Sequence, residues 1–354
     1  MEELYVICPN DKISSELKKM LNSFIREFDT VHYILNWHNT DFRNKKILFL
    51  LELDNSICFD IPMLIFFSNL SSESKDAFQG STAALLIHSS SELGTKRAAQ
   101  DIIFMANKLG CNFIGHPLVE ATANLKNFLT WQKSTQRPLE EICLILSAKL
   151  GKRLAEYKSA AAIKKMTVLY SSPHKISNTL DLWHLISKHL KKISIEELQI
   201  ENGQILDCKG CHYKLCLHYG KQNSCFYGGF MVENILPSIK SSDAVVWLCP
   251  NYNDSIGANL TATINRLTVL YHKISFYNKS IFAVIVSGNS GSDSVAKQLI
   301  GALNINKGFR LPPNSIITET ANDPGAIFKI PGIKSKARSF AENIMKNSFN
   351  HQIP

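Results

Sequence analysis

Met166-Thr-Val-Leu-Tyr170 is followed by Ser171-Ser-Pro-His-Lys-Ile-Ser-Asn-Thr179 and then by the segment from Leu180 to Leu190. The first stretch is short and apolar, which is typical of a buried strand. The last stretch repeats apolar side chains at the spacing of an amphipathic helix. The stretch between them is a polar turn that contains a proline. A strand, a loop and a helix in this order form the repeating unit of a parallel α/β sheet.

The same order continues towards the C-terminus. Ala244 to Cys249 is predicted as a buried strand and Asn259 to Tyr271 as a helix. Ile281 to Ser287 is predicted as another strand, followed by a helix from Asp293 to Leu303. Alternating strands and helices predict an α/β fold with a doubly wound, mainly parallel sheet.

The first half of the chain looks like a degenerate copy of the second. Leu4-Tyr-Val-Ile-Cys-Pro-Asn-Asp-Lys-Ile-Ser14 parallels Val168-Leu-Tyr-Ser-Ser-Pro-His-Lys-Ile-Ser177, and Ala83 to Ser89 parallels Phe282 to Gly288. We therefore expect two tandem domains, at residues 1–135 and 165–350, joined by a helical connector at residues 136–164. The alternative is that any two strand-and-helix units look alike.

Size and composition agree with two globular domains. The chain has 354 residues, of which 45% are hydrophobic and 19% are charged, as in soluble globular proteins. Its longest apolar runs, such as Met63 to Phe67, are far shorter than the roughly 20 residues that cross a bilayer. No membrane association is expected.

Two features favour the cytoplasm. Glu2 and Glu3 stand where a secretory signal would carry basic residues. Five of the nine cysteines are scattered singly in apolar surroundings, as buried reduced cysteines are: Cys8, Cys58, Cys111, Cys143 and Cys249.

The net charge of +9 is compatible with nucleic acid, but the basic residues are spread along the chain and do not alternate with aromatic residues. Anionic small cofactors explain the charge as well. The densest basic segment, Lys149 to Lys165, is interpreted as a solvated face or a linker. We expect no nucleic-acid partner.

The loop after Tyr170 is a candidate phosphate site. It lies at a helix N-terminus, where backbone N–H groups and the helix dipole favour an anion. The alternative is ordinary helix capping by Ser177 or Asn178. The side chains that could hold the phosphate, with Lys175 adding charge, are Ser171, Ser172, His174, Ser177, Asn178 and Thr179.

This loop resembles the Gly-Ser-Pro-Arg-x-x-(Gly/Ser)-Asn-Thr element of the NADPH-dependent FMN reductase and iron-sulfur flavoprotein branch of the flavodoxin-like superfamily. Ser172-Pro173, Ser177, Asn178 and Thr179 match it, while Ser171 and His174 replace the usual glycine and arginine. Asp207-Cys-Lys-Gly-Cys211 resembles the family's cysteine turn, and Ala244 to Asn253 resembles its Ser-Pro-x-Tyr loop. The resemblance runs from about Met166 to Leu303.

The resemblance implies an FMN site outside the carboxyl ends of the strands. Residues 171–179 would hold the phosphate. Pro250, Asn251, Tyr252 and Asn253 would lie along the flavin ring, and Ser287, Gly288, Asn289 and Gly291 would close the other side. The first copy places Asp11 where a phosphate would lie, so we expect it to bind no flavin. It would instead act as a built-in partner, giving a monomer with an internal pseudo-dimer or a homodimer.

Four further cysteines form the pattern Cys-x2-Cys-x4-Cys-x8-Cys, and four thiolates in such a run can bind one metal centre. The resemblance to iron-sulfur flavoproteins implies a [4Fe-4S] cluster, although those relatives space the second and third cysteines more tightly. Zinc with His212 and His218 as spare ligands, a redox-active dithiol, and a turn of reduced cysteines without metal are the other interpretations. The candidate ligands are Cys208, Cys211, Cys216 and Cys225.

These features predict an FMN-dependent NAD(P)H oxidoreductase that passes electrons to a small-molecule or protein acceptor. No residue is assigned as a catalytic acid or base, because the flavin carries the chemistry. The chain has no Gly-x-Gly-x-x-Gly after a strand, so NAD(P)H would dock only transiently as the donor. The alternative function is a non-catalytic, redox-sensing or electron-transfer binding protein.

Overall fold

A computed structural model describes residues 2–38, 40–54, 58–158, 162–171 and 177–346. The chain divides into two compact units, Met1–Lys158 and Ser159–Pro354. Within the described ranges, no helix is both long enough and apolar enough to cross a membrane.

The first unit is a parallel sheet with helices around it. Its strands are β1 (Glu3–Ile7), β2 (Thr30–Ile34), β3 (Lys46–Leu53), β4 (Thr82–Ser89) and β5 (Asn112–Ala121). Its helices are α1 (Ser15–Phe24), α2 (Ile61–Glu73), α3 (Thr95–Lys108), α4 (Leu129–Thr135) and α5 (Leu139–Glu156). The strand order is β2-β1-β3-β4-β5, and the neighbours pair in parallel.

The second unit repeats this plan. Its strands are β6 (Lys165–Tyr170), β7 (Ser194–Gln199), β8 (Ala244–Pro250), β9 (Ser280–Ser287) and β10 (Ile316–Thr320). Its helices are α6 (Asn178–Ser187), α7 (Tyr213–Lys221), α8 (Leu236–Ser241), α9 (Ala258–Arg266), α10 (Thr268–Tyr271), α11 (Ser292–Leu299) and α12 (Ile333–Lys346). The strand order is β7-β6-β8-β9-β10, again in parallel pairs.

Both sheets therefore have the order 2-1-3-4-5 of flavodoxin-like doubly wound folds. The predicted fold, two such domains in tandem, is confirmed. The segments matched as repeats also occupy equivalent places, since β1 and β6 are each first along the chain in their sheet, and β4 and β9 are each fourth.

The central strands are mostly apolar because helices cover both faces of the sheet. Every residue of β9 is buried, whereas the edge strands β2 and β7 are partly exposed. One core contains Leu48 and Leu86 of the first unit, and a separate core contains Val246 and Val284 of the second.

Helix α5 lies within the segment 136–164 that we expected to act as a connector. In the structure Ile142, Leu150 and Leu154 are buried in the core of the first unit. Its Gly151 lies so close to α1 that an added Cβ would stand 2.0 Å from the carbonyl oxygen of Phe24. The helix is thus an integral layer of the first unit.

The singly placed cysteines are mostly buried. Cys8, Cys111, Cys143 and Cys249 are buried, and Cys58 is partly exposed. Burial raises the pKa of Cys8 to about 11 and that of Cys143 to about 12. These two thiols are therefore protonated at neutral pH.

Candidate functional site

Three loops of the second unit emerge together at one edge of its sheet. Strands β6, β8 and β9 are neighbours and run in parallel. The loops that follow them therefore leave the sheet side by side at its carboxyl edge. Ligands of doubly wound sheets bind at this edge.

The loop after β6 leads into α6. The Ser177 hydroxyl accepts a hydrogen bond from the Leu180 N–H, as an N-cap does. Thr179 is only 3% exposed. Ser172 and His174 lie outside the described residues. Among the described residues, this loop offers an anion the backbone at the start of α6.

Asn178 has a role that the sequence did not indicate. Its Nδ2 donates to the carbonyl oxygens of Ala321 at 3.0 Å and Asp323 at 2.9 Å. Its Oδ1 accepts from the Ile327 N–H at 3.2 Å. Both ends of this amide thus hold the loop after β10, and Asn178 positions the start of α6.

Asn259, which the sequence analysis did not single out, joins the loops that follow three strands. From the first turn of α9, its Nδ2 donates to Ser171 Oγ and to Asn202 Oδ1, both at 2.9 Å. A polar residue in the first turn of the helix after β8 is the signal that could have found it.

The loop after β8 presents an aromatic ring. Pro250 ends the strand, and Asn253 and Asp254 follow with φ angles of 52° and 55°. Two successive positive φ angles are typical of a tight turn. The turn leaves Tyr252 52% exposed, so its ring is free to pack on a ligand.

Asn251 ties this loop to the loop after β9. Its Nδ2 lies 2.8 Å from the Ser290 carbonyl oxygen and 3.1 Å from both Ser287 Oγ and Asp254 Oδ1. Its Oδ1 is buried and has no hydrogen-bond partner. Buried acceptors are normally satisfied, so this oxygen can accept an N–H group from a ligand.

The loop after β9 needs glycine for close packing. Gly291 has a φ of 85°, and an added Cβ would stand 1.7 Å from Asp254 Oδ1. Gly288 and Asn289 are exposed, whereas Ser287 is buried and its Oγ lies 2.6 Å from Ser292 Oγ. The loops after β8 and β9 therefore form one interlocked surface.

Residues 164–323 match the sequence model of the NADPH-dependent FMN reductases. These residues make up most of the second unit, which resembles that family. The match contains the three loops and confirms the resemblance to FMN reductases, which are flavin-dependent NAD(P)H oxidoreductases. The iron-sulfur branch remains a prediction.

Solved structures also align with the chain, at low identity. The NAD(P)H:quinone oxidoreductase from Methanothermobacter marburgensis is 13% identical, over 52% of this chain and 96% of that one, with a TM-score of 0.39. The azoreductase from Bacillus anthracis str. Sterne is 12% identical, over 52% and 99%, with a TM-score of 0.39. No curated protein matches significantly.

The carboxyl edge of the second unit fits a flavin mononucleotide in three respects. The start of α6 offers backbone donors for a phosphate. The exposed Tyr252 offers an aromatic face, and Asn251 Oδ1 is a buried acceptor without a partner. An apolar ring with polar edges requires these features.

The same edge of the first unit is already occupied by a carboxylate. Glu52 Oε2 accepts from the Ser14 N–H at 2.8 Å and from the Ser14 hydroxyl at 2.7 Å, at the start of α1. His88 Nδ1 contacts both Glu52 and Ser14. Asp11, which we expected in this position, is exposed; the carboxylate at the helix start is that of Glu52.

The surroundings of Glu52 favour its charged form. Burial raises the pKa of this carboxyl group, but the hydrogen bonds from His88 and Ser14 outweigh burial and bring the pKa below its usual value. A carboxylate at a helix N-terminus is also stabilised by the helix dipole. The first unit thus supplies its own anion at the place that corresponds to the candidate phosphate site of the second unit.

The four clustered cysteines line one cavity of about 330 Å³. Cys208 is exposed, and Cys211, Cys216 and Cys225 are partly buried. In the described part of the chain, no three Cys, His, Asp or Glu side chains are arranged to hold a metal ion. His212 instead accepts from the Lys214 N–H at the start of α7. The structure therefore does not support the predicted [4Fe-4S] or zinc centre.

Proposed function

We propose that the chain is an FMN-dependent NAD(P)H oxidoreductase that passes electrons to a small-molecule or protein acceptor. The observation that carries the proposal is the partnerless buried oxygen of Asn251, at an edge where three loops of the second unit meet. The buried, singly placed cysteines Cys8, Cys111, Cys143 and Cys249 favour a reducing compartment, and hence the cytoplasm.

In this proposal the chain binds and orients the flavin. The start of α6, with Ser171 and Ser177, receives the phosphate, and Asn178 positions that helix. Asn251 accepts an N–H group from the ring, and Tyr252 packs on its face. The flavin, when bound, supplies hydride transfer between NAD(P)H and the acceptor.

Two further groups of residues complete the proposed flavin site. Pro250 and Asn253 shape the loop after β8. The loop after β9 lies on the other side of the flavin ring and contributes Ser287, Gly288, Asn289 and Gly291.

The direct test is a titration of the purified protein with FMN, followed by NADPH and NADH oxidation with a quinone acceptor. We expect FMN to bind and NAD(P)H to be consumed only when it is bound. Failure to bind FMN would refute the proposal. FMN binding without turnover would assign the chain to the redox-sensing or electron-transfer class instead.

A pair of glycine variants locates the site. Gly291→Ala would force apart the loops after β8 and β9, so we expect FMN affinity to fall at least about tenfold, since a side chain at positive φ also strains the loop. Gly80→Ala is the control, because Gly80 has a φ of 79° and an added Cβ there would stand 2.1 Å from Asn44 Oδ1 of the first unit. It should leave FMN affinity unchanged.

A further inference from the structure

The cavity beside the clustered cysteines is large enough for a small organic ligand. Its volume is about 330 Å³, within the range of roughly 300–1,000 Å³ that ligand sites occupy. The segment 206–229 forms one side. The other side comes from α9 and α10 and the residue after them, through Asn265, Arg266, Val269 and His272.

Aromatic rings dominate the lining. Tyr219 and Phe226 meet edge to face at 5.7 Å, and Phe226 meets Tyr227 at 5.2 Å. Tyr213 and Phe226 are 63% and 57% exposed. Large exposed apolar rings gathered at a cavity mark a binding surface, and such rings favour a flat aromatic ligand.

One residue of the lining carries a buried charge. Arg266 is only 3% exposed. Its Nη1 and Nη2 donate to the carbonyl oxygens of Leu206 at 3.4 Å and Gly228 at 3.0 Å. Its Nε is buried and has no partner.

Both partners of this guanidinium are neutral, and within the described residues no carboxylate forms an ion pair with it. A buried charge is costly unless an opposite charge compensates it. Carboxylates and other oxyanions are the groups that guanidinium donors bind best.

We propose that this cavity binds a planar aromatic anion, whose ring packs on Tyr219, Phe226 and Tyr227 and whose oxyanion accepts from Arg266 Nε. The inference goes beyond the proposed flavin chemistry. Asn259, which donates to Ser171 at the proposed flavin edge, lies at the start of α9, whereas Arg266 is at its end, about 10 Å away at 1.5 Å per residue. We therefore expect the ligand to bind with or without FMN.

The test compares 2-naphthoate with the uncharged 2-naphthamide by isothermal titration calorimetry on the full chain. We expect the acid to bind at least about tenfold more tightly, because only the acid compensates the buried guanidinium. Equal affinities, or no binding of either compound, would overturn the proposal.

Two variants separate the charge from the rings. Arg266→Gln should abolish the preference for the acid, whereas Phe226→Ala should weaken both compounds to a similar degree and keep the preference. Phe226 is exposed, so its variant should remain folded even if Arg266→Gln does not. A preference that survives Arg266→Gln in a folded protein, or affinities unchanged by Phe226→Ala, would contradict the inference.

Cysteine alkylation tests whether the ligand binds in this cavity. Iodoacetamide labelling followed by mass spectrometry should show that 2-naphthoate slows modification of Cys211, Cys216 and Cys225. The partly exposed Cys58 of the first unit is the internal control and should react at an unchanged rate. Equal effects on all four thiols, or none, would place the ligand elsewhere.

Repeating the titration with FMN-saturated and FMN-free protein keeps the two proposals apart. Binding of naphthoate without any FMN binding would leave this inference standing and remove the flavin proposal. Binding of FMN alone would do the reverse.

Discussion

Asn251 and Asn178 both use a side-chain amide to clamp a loop at the carboxyl edge of the second sheet. They differ in whether the amide oxygen has a hydrogen-bond partner. Both ends of the Asn178 amide are bonded within the fold, whereas Asn251 keeps a buried oxygen without a partner. The first residue is therefore a structural clamp, and the second is a clamp with a free acceptor.

This difference gives a matched pair of variants. Asn251→Ala and Asn178→Ala should each lower the free energy of unfolding by about 1–3 kcal/mol, because each removes three hydrogen bonds that hold loops at this edge. Asn251→Ala should also lower FMN affinity by more than Asn178→Ala does, because it removes a proposed flavin contact as well as a clamp. Urea unfolding and FMN titration measure the two effects, and an equal loss of affinity in both variants would mean that the clamps alone matter.

Glu52 makes the stability of the first unit depend on pH. Its folded-state pKa is below the ordinary 4.5, so the ionised carboxylate stabilises the fold above about pH 4.5 and loses this effect as the pH falls through the folded pKa. Glu52→Gln should lower the free energy of unfolding by about 1–3 kcal/mol at pH 7. The difference in this free energy between the variant and the parent protein should become smaller at acidic pH.

Denaturant unfolding from pH 7 down to pH 3 measures that difference. Glu140→Gln is the control, since Glu140 pairs with Lys19 on the surface, where both side chains are more than half exposed. Exposed pairs contribute little. A constant difference for Glu52→Gln across this range would contradict the assignment.

The sequence alone identified many polar residues of the site but not how each is used. Ser171, Asn251 and Tyr252 lie within two residues of a strand end, and the sequence predicted those strand ends. The partners of Asn178 lie more than 140 positions away along the chain, so no local pattern could separate a loop clamp from a phosphate ligand. Arg266 carried no signal, because its burial depends on the segment 206–229.

At the scale of elements, α5 shows how a glycine sets the distance between helices. Gly151→Ala would raise helix propensity, yet its new methyl group would collide with the backbone of α1 at Phe24. We expect a net loss of about 1–3 kcal/mol in the first unit, as for other overpacked cores.

Gly220→Ala in α7 is the matched control. An added Cβ there would stand 3.4 Å from the nearest atom, the Val269 carbonyl oxygen. This change should be neutral or slightly stabilising, since alanine favours helix over glycine. Thermal unfolding followed by circular dichroism compares the two variants, and equal effects would exclude the close contact at Phe24.

Elements with strong burial were predictable and edge elements were not. Strands β8 and β9 appear in the sequence as continuous apolar runs because helices cover both faces. Strands β7 and β10 sit at sheet edges, are shorter or more polar, and gave no comparable run. The place of α5 was missed because its buried stripe is interrupted by the basic residues Lys149, Lys152 and Arg153.

At the scale of the whole molecule, two separate cores predict two unfolding transitions. FMN should raise the free energy of unfolding of the second unit alone. The increase should be about 2.7 kcal/mol when the free FMN concentration is 100 times its dissociation constant. Gly151→Ala should lower the unfolding temperature of the first unit alone. Differential scanning calorimetry tests this, and one transition that both changes shift equally would mean that the units unfold together.

The place of α5 in the first core also bears on synthesis at the ribosome. Ile142, Leu150 and Leu154 supply part of the layer that covers the first sheet, so a nascent chain that stops before them exposes apolar surface on β1, β3 and β4. At 5–20 residues per second, Glu156 is added roughly 8–30 seconds after Met1. During that interval the incomplete first core is a surface for chaperones, and translation pauses between β5 and α5 would prolong the exposure.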